Sequence, residues 1–351
     1  MDLVRNDIGN ASTPEATILA HIVPKVYEWM SSGQGDRSDP KTGGWVLYEY
    51  KEGDNLASVF PTLASEEKAV VMTQLATILS GLQRLSLPKN LNQFGGFDFN
   101  NKGEIINGGM FHLKGRPWDL YSNVWTAKVR CVIEDDFKER GLIKDWKEEG
   151  LVLRMKDFLL LSGLKRALSG VDSSQMGFVH GNFSKSTKTN LFATNTDGEK
   201  AMENMLYDVK SKSITALLDF DLATITHPAD EFLTGLDDVG GGFADKPPEL
   251  LACLCGGDFS ITLENPTDAD LKKWELARSW HQIATCCGVV TPSCMRGFDR
   301  VVRLHRMLKE LYIPKLMDED KVKLTPISPA VVEAKEEAEE RMLVLIGRYG
   351  Y

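Results

Sequence analysis

His180, Gly181 and Asn182 stand together in F-V-H-G-N, and Asn190-Leu191-Phe192 begins eight residues after Asn182. Further on come Leu217-Leu218-Asp219-Phe220-Asp221 and His227-Pro228-Ala229-Asp230-Glu231-Phe232. An imidazole, two amides and closely spaced carboxylates are groups that position protons and ligate divalent cations. Phosphoryl transfer needs such a set: a residue that orients the attacking hydroxyl, oxygen ligands for Mg²⁺, and a loop with a cation over the nucleotide phosphates. A second set is aromatic, with Trp118, Tyr121 and Trp125 at i, i+3 and i+7 and Phe111 and Trp146 nearby. Rings at helical spacing either pack a core or line a pocket.

The order of the polar motifs resembles the aminoglycoside phosphotransferase and choline kinase family, in which H-G-D, a nearby Asn and a later D-x-D or D-W-E build the catalytic loop and metal site. The similarity extends upstream to Glu15 in the first helix, to V-P-K-V-Y-E-W, to the hinge-like L-Y-E-Y-K-E-G-D-N-L and to P-T-L-A-S-E-E-K-A. It covers most of residues 4–235 and looks closest to fungal members. The resemblance implies a protein-kinase-like α+β fold of two lobes: a truncated first lobe, residues 1–55, and a large helical second lobe, residues 56–351, that carries the catalytic loop. It further implies that His180 supports that loop, that Asn190 and Asp219 hold Mg²⁺, and that Glu15 pairs with a strand lysine.

Three departures from the family pattern bear on activity. Asn182 stands where the family has its catalytic Asp, and a neutral amide cannot accept the substrate hydroxyl proton as a carboxylate does. The spacing from Asn182 to Asn190 is longer than usual, so the loop S-K-S-T-K-T must bulge or the metal ligand sits elsewhere. Only roughly ten residues precede the first helix in place of the phosphate-covering strands, leaving Arg5 as the best candidate cation and Gly9 as a lone turn residue. A general base alone is worth about 10² to 10⁴ in rate, and the other two departures compound its loss. His180, Asp219 and Asp230 would then persist as hydrogen-bonding struts that satisfy one another.

Without a phosphate lid the cleft should admit apolar small molecules, with the aromatic set Phe111, Trp118, Tyr121, Trp125 and Trp146 as its wall. Such a wall folds a flexible substrate into a reactive conformer, an entropic contribution that needs no nucleophile or cofactor. Three functions follow. The first is a cofactor-independent enzyme of secondary metabolism that cyclises a terpenoid or polyketide intermediate, for instance by an intramolecular [4+2] Diels-Alder cycloaddition. The second is a small-molecule kinase using ATP and Mg²⁺, with Arg5 and Glu15 at the nucleotide and Asn190 and Asp219 at the metal. The third is a non-catalytic pseudokinase that binds a partner.

Composition narrows the setting. With 41 basic and 50 acidic residues the net charge is −9, which gives no global attraction to nucleic acid or anionic lipid. No apolar run of about 18 residues occurs and the N-terminus lacks a leader pattern, so a cytoplasmic protein is expected. The six cysteines lack zinc-site spacing and read as reduced, mostly structural thiols, with Cys253 and Cys255 the one pair worth testing as metal ligands. Helical spacing runs over 14–30 with a break expected at Pro24, after Ser65, across 117–168 with the three aromatics on one stripe and a further helix from Leu151 to Leu168, and at 271–286, 297–312 and 329–349. Residues 31–44 read as a loop, Trp45 onward as a strand, 94–110 as a small hairpin or irregular loops, and 178–232 as the strand-rich, chemically dense part. The run EAKEEAEERM reads as the solvated face of the last helix.

Overall fold

A computed structural model describes residues 14–30, 45–110, 113, 115–131, 149–183, 202–243, 246–261, 263, 265–309 and 329–351. Arg5, Phe111, Trp146 and Asn190 lie outside these residues, as do the expected loop at 31–44, the expected strand around Asn190 and the end of the helix expected to reach 312.

Helix α1 (Pro14–Ile22) stops just before Pro24, whose ring offers no N–H and disfavours helix at the residue before it. Strand β1 (Val26–Met30) then pairs antiparallel with β2 (Trp45–Tyr48). The chain turns at Gly53, where φ is 145° and a Cβ would stand 2.7 Å from Thr215 Oγ1. Strand β3 (Asp54–Asn55) follows, joined far along the chain by β7 (Met205–Asp208) and β8 (Ser213–Leu217) in a sheet of order β3-β7-β8. Asn55 accepts the Ala57 N–H at 3.0 Å and so caps the short helix α2 (Leu56–Val59).

Helix α3 (Ser65–Gln83) buries Val71, Leu75, Ile78, Leu79 and Leu82, the stripe that its spacing dictates. Its cap is not Ser65: Ala64 occupies that position, and Glu67 reaches back to accept the Ala64 N–H at 3.3 Å. Strands β4 (Gly96–Phe99) and β5 (Ile105–Gly108) form the expected hairpin. Helix α1 packs on α3, with Leu19 against Gly81 and Glu15 paired with Arg84 at 3.0 Å. That contact replaces the strand lysine expected opposite Glu15.

Two helical expectations are corrected. Trp118 is not on a helix: it exchanges two backbone hydrogen bonds of 2.8 Å with Phe94, and α4 (Tyr121–Arg130) starts only after an extended Leu120. The expected helix from Leu151 is two, α5 (Glu149–Leu160) and α6 (Gly163–Ala167), broken at Ser162, where φ is 70°. Strand β6 (Gly177–Val179) pairs antiparallel with β9 (Thr224–Thr226), after which the chain is helical: α7 (Ala229–Thr234), α8 (Pro248–Gly256), α9 (Asp268–Cys286), α10 (Phe298–Lys309) and α11 (Pro329–Gly347). Glu339 in the acidic run of α11 is buried beside Met342, so that face is not wholly solvated.

The result is an α+β architecture of small antiparallel sheets set among helices, with one hydrophobic core running from Leu19 to Ile346. All six cysteines are free; Cys253 is buried, and burial pushes the Cys255 thiol up to about 12, so both are inert as thiolates at neutral pH. No helix among the described residues is long and apolar enough to cross a membrane.

Candidate functional site

The hydrogen-bonded pairing of β6 with β9 fixes where His180, Gly181 and Asn182 leave the sheet. Gly181 turns with φ 74°, and a Cβ there would meet the Leu222 carbonyl oxygen at 2.7 Å, so the turn requires glycine. Glu231, near the start of α7, holds the turn from beneath: its two carboxyl oxygens accept the N–H groups of His180 (2.7 Å) and Gly181 (3.2 Å). Burial pushes the Glu231 carboxyl up to about 8 against the opposing pull of these two donors.

His180 is fully buried and held at both nitrogens. Asn182 donates its backbone N–H to Nδ1 (3.2 Å), which leaves Nε2 as the protonated nitrogen donating to the Leu218 carbonyl (3.1 Å). Desolvation lowers its pKa to about 3, so the ring is neutral at any ordinary pH. The imidazole therefore ties the loop to the end of β8.

That tie brings together residues 37 positions apart: Asn182 Nδ2 donates to Asp219 Oδ2 at 2.6 Å. Asp219 sits in the left-handed region with φ 59°, and its other oxygen accepts the Asp221 N–H at 3.4 Å. Burial, then the nearby Asp221, raises its carboxyl above the usual range. Asn182 also accepts the Asn204 side-chain N–H at its backbone oxygen (2.8 Å), while its Oδ1 is buried and meets no hydrogen-bond donor among the described residues. An acceptor left in this state costs about 1–3 kcal/mol unless something donates to it.

Mg²⁺ requires near-octahedral oxygen coordination, and of its two expected ligands only Asp219 lies within the described residues. Each Asp219 oxygen accepts one N–H and keeps a further lone pair, and among the described residues no group of three or more His, Cys, Asp or Glu side chains is placed to hold a metal.

Of the aromatic set proposed as a substrate wall, Tyr121 and Trp125 have 0% exposure and face no space that a water molecule could enter. The Tyr121 hydroxyl donates to Asp230 (2.7 Å), which also accepts from Thr226 (2.7 Å) and pairs with Lys128 (3.3 Å); the Tyr121 ring stacks on His227 at 4.8 Å. These rings are interior packing around a polar network, and Trp118 packs partly buried at its edge.

A different line of rings flanks the Asn182–Asp219 pair. Phe220 lies edge-on to His180 at 4.6 Å and against Phe178 at 6.4 Å, and Phe178 stacks on Phe97 at 5.9 Å. Phe99, two residues on and hence on the same face of β4, stacks with Trp29 of β1 at 5.3 Å, each ring half exposed. Backbone bonds between Gly95 and Ile225 (2.8 and 2.9 Å) hold this hairpin beside β9. Sequence reasoning passed over these residues; the signal was the alternation in F-D-F at 97–99 and a phenylalanine between the two aspartates of D-F-D.

No family model matches the chain and no curated protein matches it. Among solved structures, a putative aminoglycoside phosphotransferase from Ralstonia eutropha JMP134 is 12% identical with a TM-score of 0.45, covering 99% of this chain and 81% of that one. A streptomycin–ATP ternary complex of APH(2'')-IIa is 10% identical with a TM-score of 0.46, covering 98% and 80%. The ADP-bound aminoglycoside phosphotransferase APH(2'')-Ib is 10% identical with a TM-score of 0.43, covering 97% and 80%. Superpositions this loose say nothing about activity.

Proposed function

We propose that this chain has given up phosphotransfer and acts as a cofactor-independent enzyme of secondary metabolism that folds and cyclises an apolar small molecule, a terpenoid or polyketide intermediate, by an intramolecular [4+2] cycloaddition. The observation that carries this reading is the Asn182–Asp219 pair. The position at which a phosphotransferase of the resembled family would place its base is a neutral amide, and that amide spends a proton on the very carboxylate that would hold the metal. The ring line from Phe220 to Trp29 supplies apolar surface beside it.

A [4+2] closure forms two carbon–carbon σ bonds at the expense of two π bonds, with no proton, electron or leaving group exchanged. It therefore asks nothing of the neutral His180 or the occupied Asp219. The apolar face contributes by holding diene and dienophile in contact. The second reading, an ATP- and Mg²⁺-dependent small-molecule kinase, is favoured by one observation, the retention of Asp219 in a left-handed conformation beside Asp221.

The test is to incubate the protein with linear polyene precursors in EDTA and to look for an isomer of unchanged mass. Retained cyclisation in EDTA, lost on Phe220→Ala, is the expected result. A product heavier by a phosphoryl group, formed only with ATP and Mg²⁺, would overturn the proposal in favour of the kinase.

A further inference from the structure

We propose that the cleft between α8 and α9 binds a small zwitterion with an apolar body, the chemistry of an apolar dipeptide. The proposal is independent of the enzymatic reading, and the cleft shares no residue with the Asn182–Asp219 pair or the ring line. Its volume is about 510 Å³, inside the range of about 300–1,000 Å³ that small-molecule sites occupy. The chain builds it by doubling back. Helix α8 ends at Gly257, which takes φ 74° and donates its N–H to the Cys253 carbonyl at 2.6 Å. Phe259 is then held on α9, edge-on to Trp274 at 5.7 Å and tilted against His281 at 5.5 Å. Asn265 turns in the left-handed region, φ 48°, and Thr267 caps α9: its hydroxyl accepts the Asp270 N–H at 3.2 Å, while Asp270 Oδ2 accepts the Thr267 N–H at 3.1 Å. Both ends of the returning segment are therefore fixed, and the cleft between it and the first turns of the two helices is preformed.

Leu250 of α8, Ile261 and Leu263 of the returning segment and Trp274 of α9 make the apolar wall. Charges of both signs stand on it: Glu249 in the first turn of α8, and Lys273 in the second turn of α9, three residues after Asp270. Asp270 Oδ2 is committed to the helix cap, where it also accepts the Thr267 hydroxyl at 2.6 Å. The cleft thus offers a ligand a carboxylate from one helix and an ammonium from the other. An apolar amine would meet Lys273 as a like charge, and an apolar acid would meet Glu249 and Asp270 in the same way. A sugar would press hydroxyls against leucine and tryptophan without partners. A molecule that carries an ammonium and a carboxylate on an apolar body satisfies the wall and both charges together.

Calorimetric titration of the full chain with L-leucyl-L-phenylalanine tests this. The expected result is saturable one-to-one binding whose dissociation constant rises at least about threefold in Glu249→Gln and in Lys273→Met. Both side chains are exposed, so the variants keep their fold, which circular dichroism checks. Acetylating the amine of the dipeptide should weaken its binding to the wild type by a similar factor and cost nothing further in Glu249→Gln; amidating its carboxylate should do the same through Lys273. Phe220→Ala should leave the constant within about twofold, which separates this cleft from the ring line. No saturable binding up to about 10 mM, binding that neither charge variant weakens, or binding lost only in Phe220→Ala would each overturn the proposal.

Discussion

Two aromatic groups of the molecule behave in opposite ways. Tyr121 and Trp125 are enclosed, with the one hydroxyl among them consumed by Asp230, whereas Phe220, Phe97, Phe99 and Trp29 run from a buried imidazole out to half-exposed rings. The first group has no free surface to give a ligand. The second ends in two half-exposed rings, Phe99 and Trp29. Ring number and size do not separate the two, nor do the polar tips, since Trp125 Nε1 is itself buried without a hydrogen-bond partner among the described residues; burial does.

The sharpest way to break this contrast is Trp125→Ala, which should cost about 3–5 kcal/mol of stability because it opens a cavity in the core. Denaturant midpoints measure it. A stable variant with selectively lost product formation would return Trp125 to a pocket wall. Next in size is Asp219→Ala, expected to cost about 1–3 kcal/mol by stranding the Asn182 amide. Normal stability with abolished turnover would instead argue for a retained catalytic or metal role.

His180 gives a pH signature of similar magnitude. Its folded pKa of about 3 lies below the unfolded value of 6.5, so the unfolded chain binds the extra proton in between and stability falls as pH drops through that window. At pH 5 the loss from this one ring is about 2 kcal/mol. The buried His227 and His305, also shifted down by desolvation, add to it in the same direction. In His180→Gln the slope of stability between pH 7 and 5 should flatten, although the variant starts less stable. An unchanged slope would mean that the ring is already protonated in the fold. The smallest effect is expected at the open end of the ring line: Phe99→Ala should change stability by no more than about 0.5–1 kcal/mol while reducing capture of apolar ligands. A large destabilisation would make Phe99 part of the core and remove half the contrast.

Much of this arrangement was legible in the sequence where a single physical rule dominated. The spacing Val71-Leu75-Ile78-Leu79-Leu82 dictated α3, Pro24 ended α1, and the motif order placed His180 and Asn182 with Asp219, whereas Asp230 bonds Tyr121 and Thr226 and pairs with Lys128. Other features depend on partners that no local pattern specifies. Trp118 falls at helical spacing from Tyr121 but is captured by the Phe94 backbone, a pairing across 24 residues that overrides periodicity. Glu231 was visible as a residue of H-P-A-D-E-F, yet its two backbone donors lie 50 and 51 residues upstream. Glu15 finds Arg84 because α1 packs on α3. The ring line is assembled from β1, β4, β6 and the turn after β8, so no single segment displays it.

The central claim is that the Asn182–Asp219 pair has replaced a phosphotransfer site, and calorimetric titration with ATP in the presence and absence of Mg²⁺ tests it most directly. The account predicts no Mg²⁺-dependent binding in the millimolar range, for the wild type or for Asn182→Asp, because one restored carboxylate cannot position a phosphate and would stand against Asp219 as a like charge. Saturable Mg²⁺-dependent binding, with phosphotransfer rising a hundredfold or more in Asn182→Asp, would contradict it.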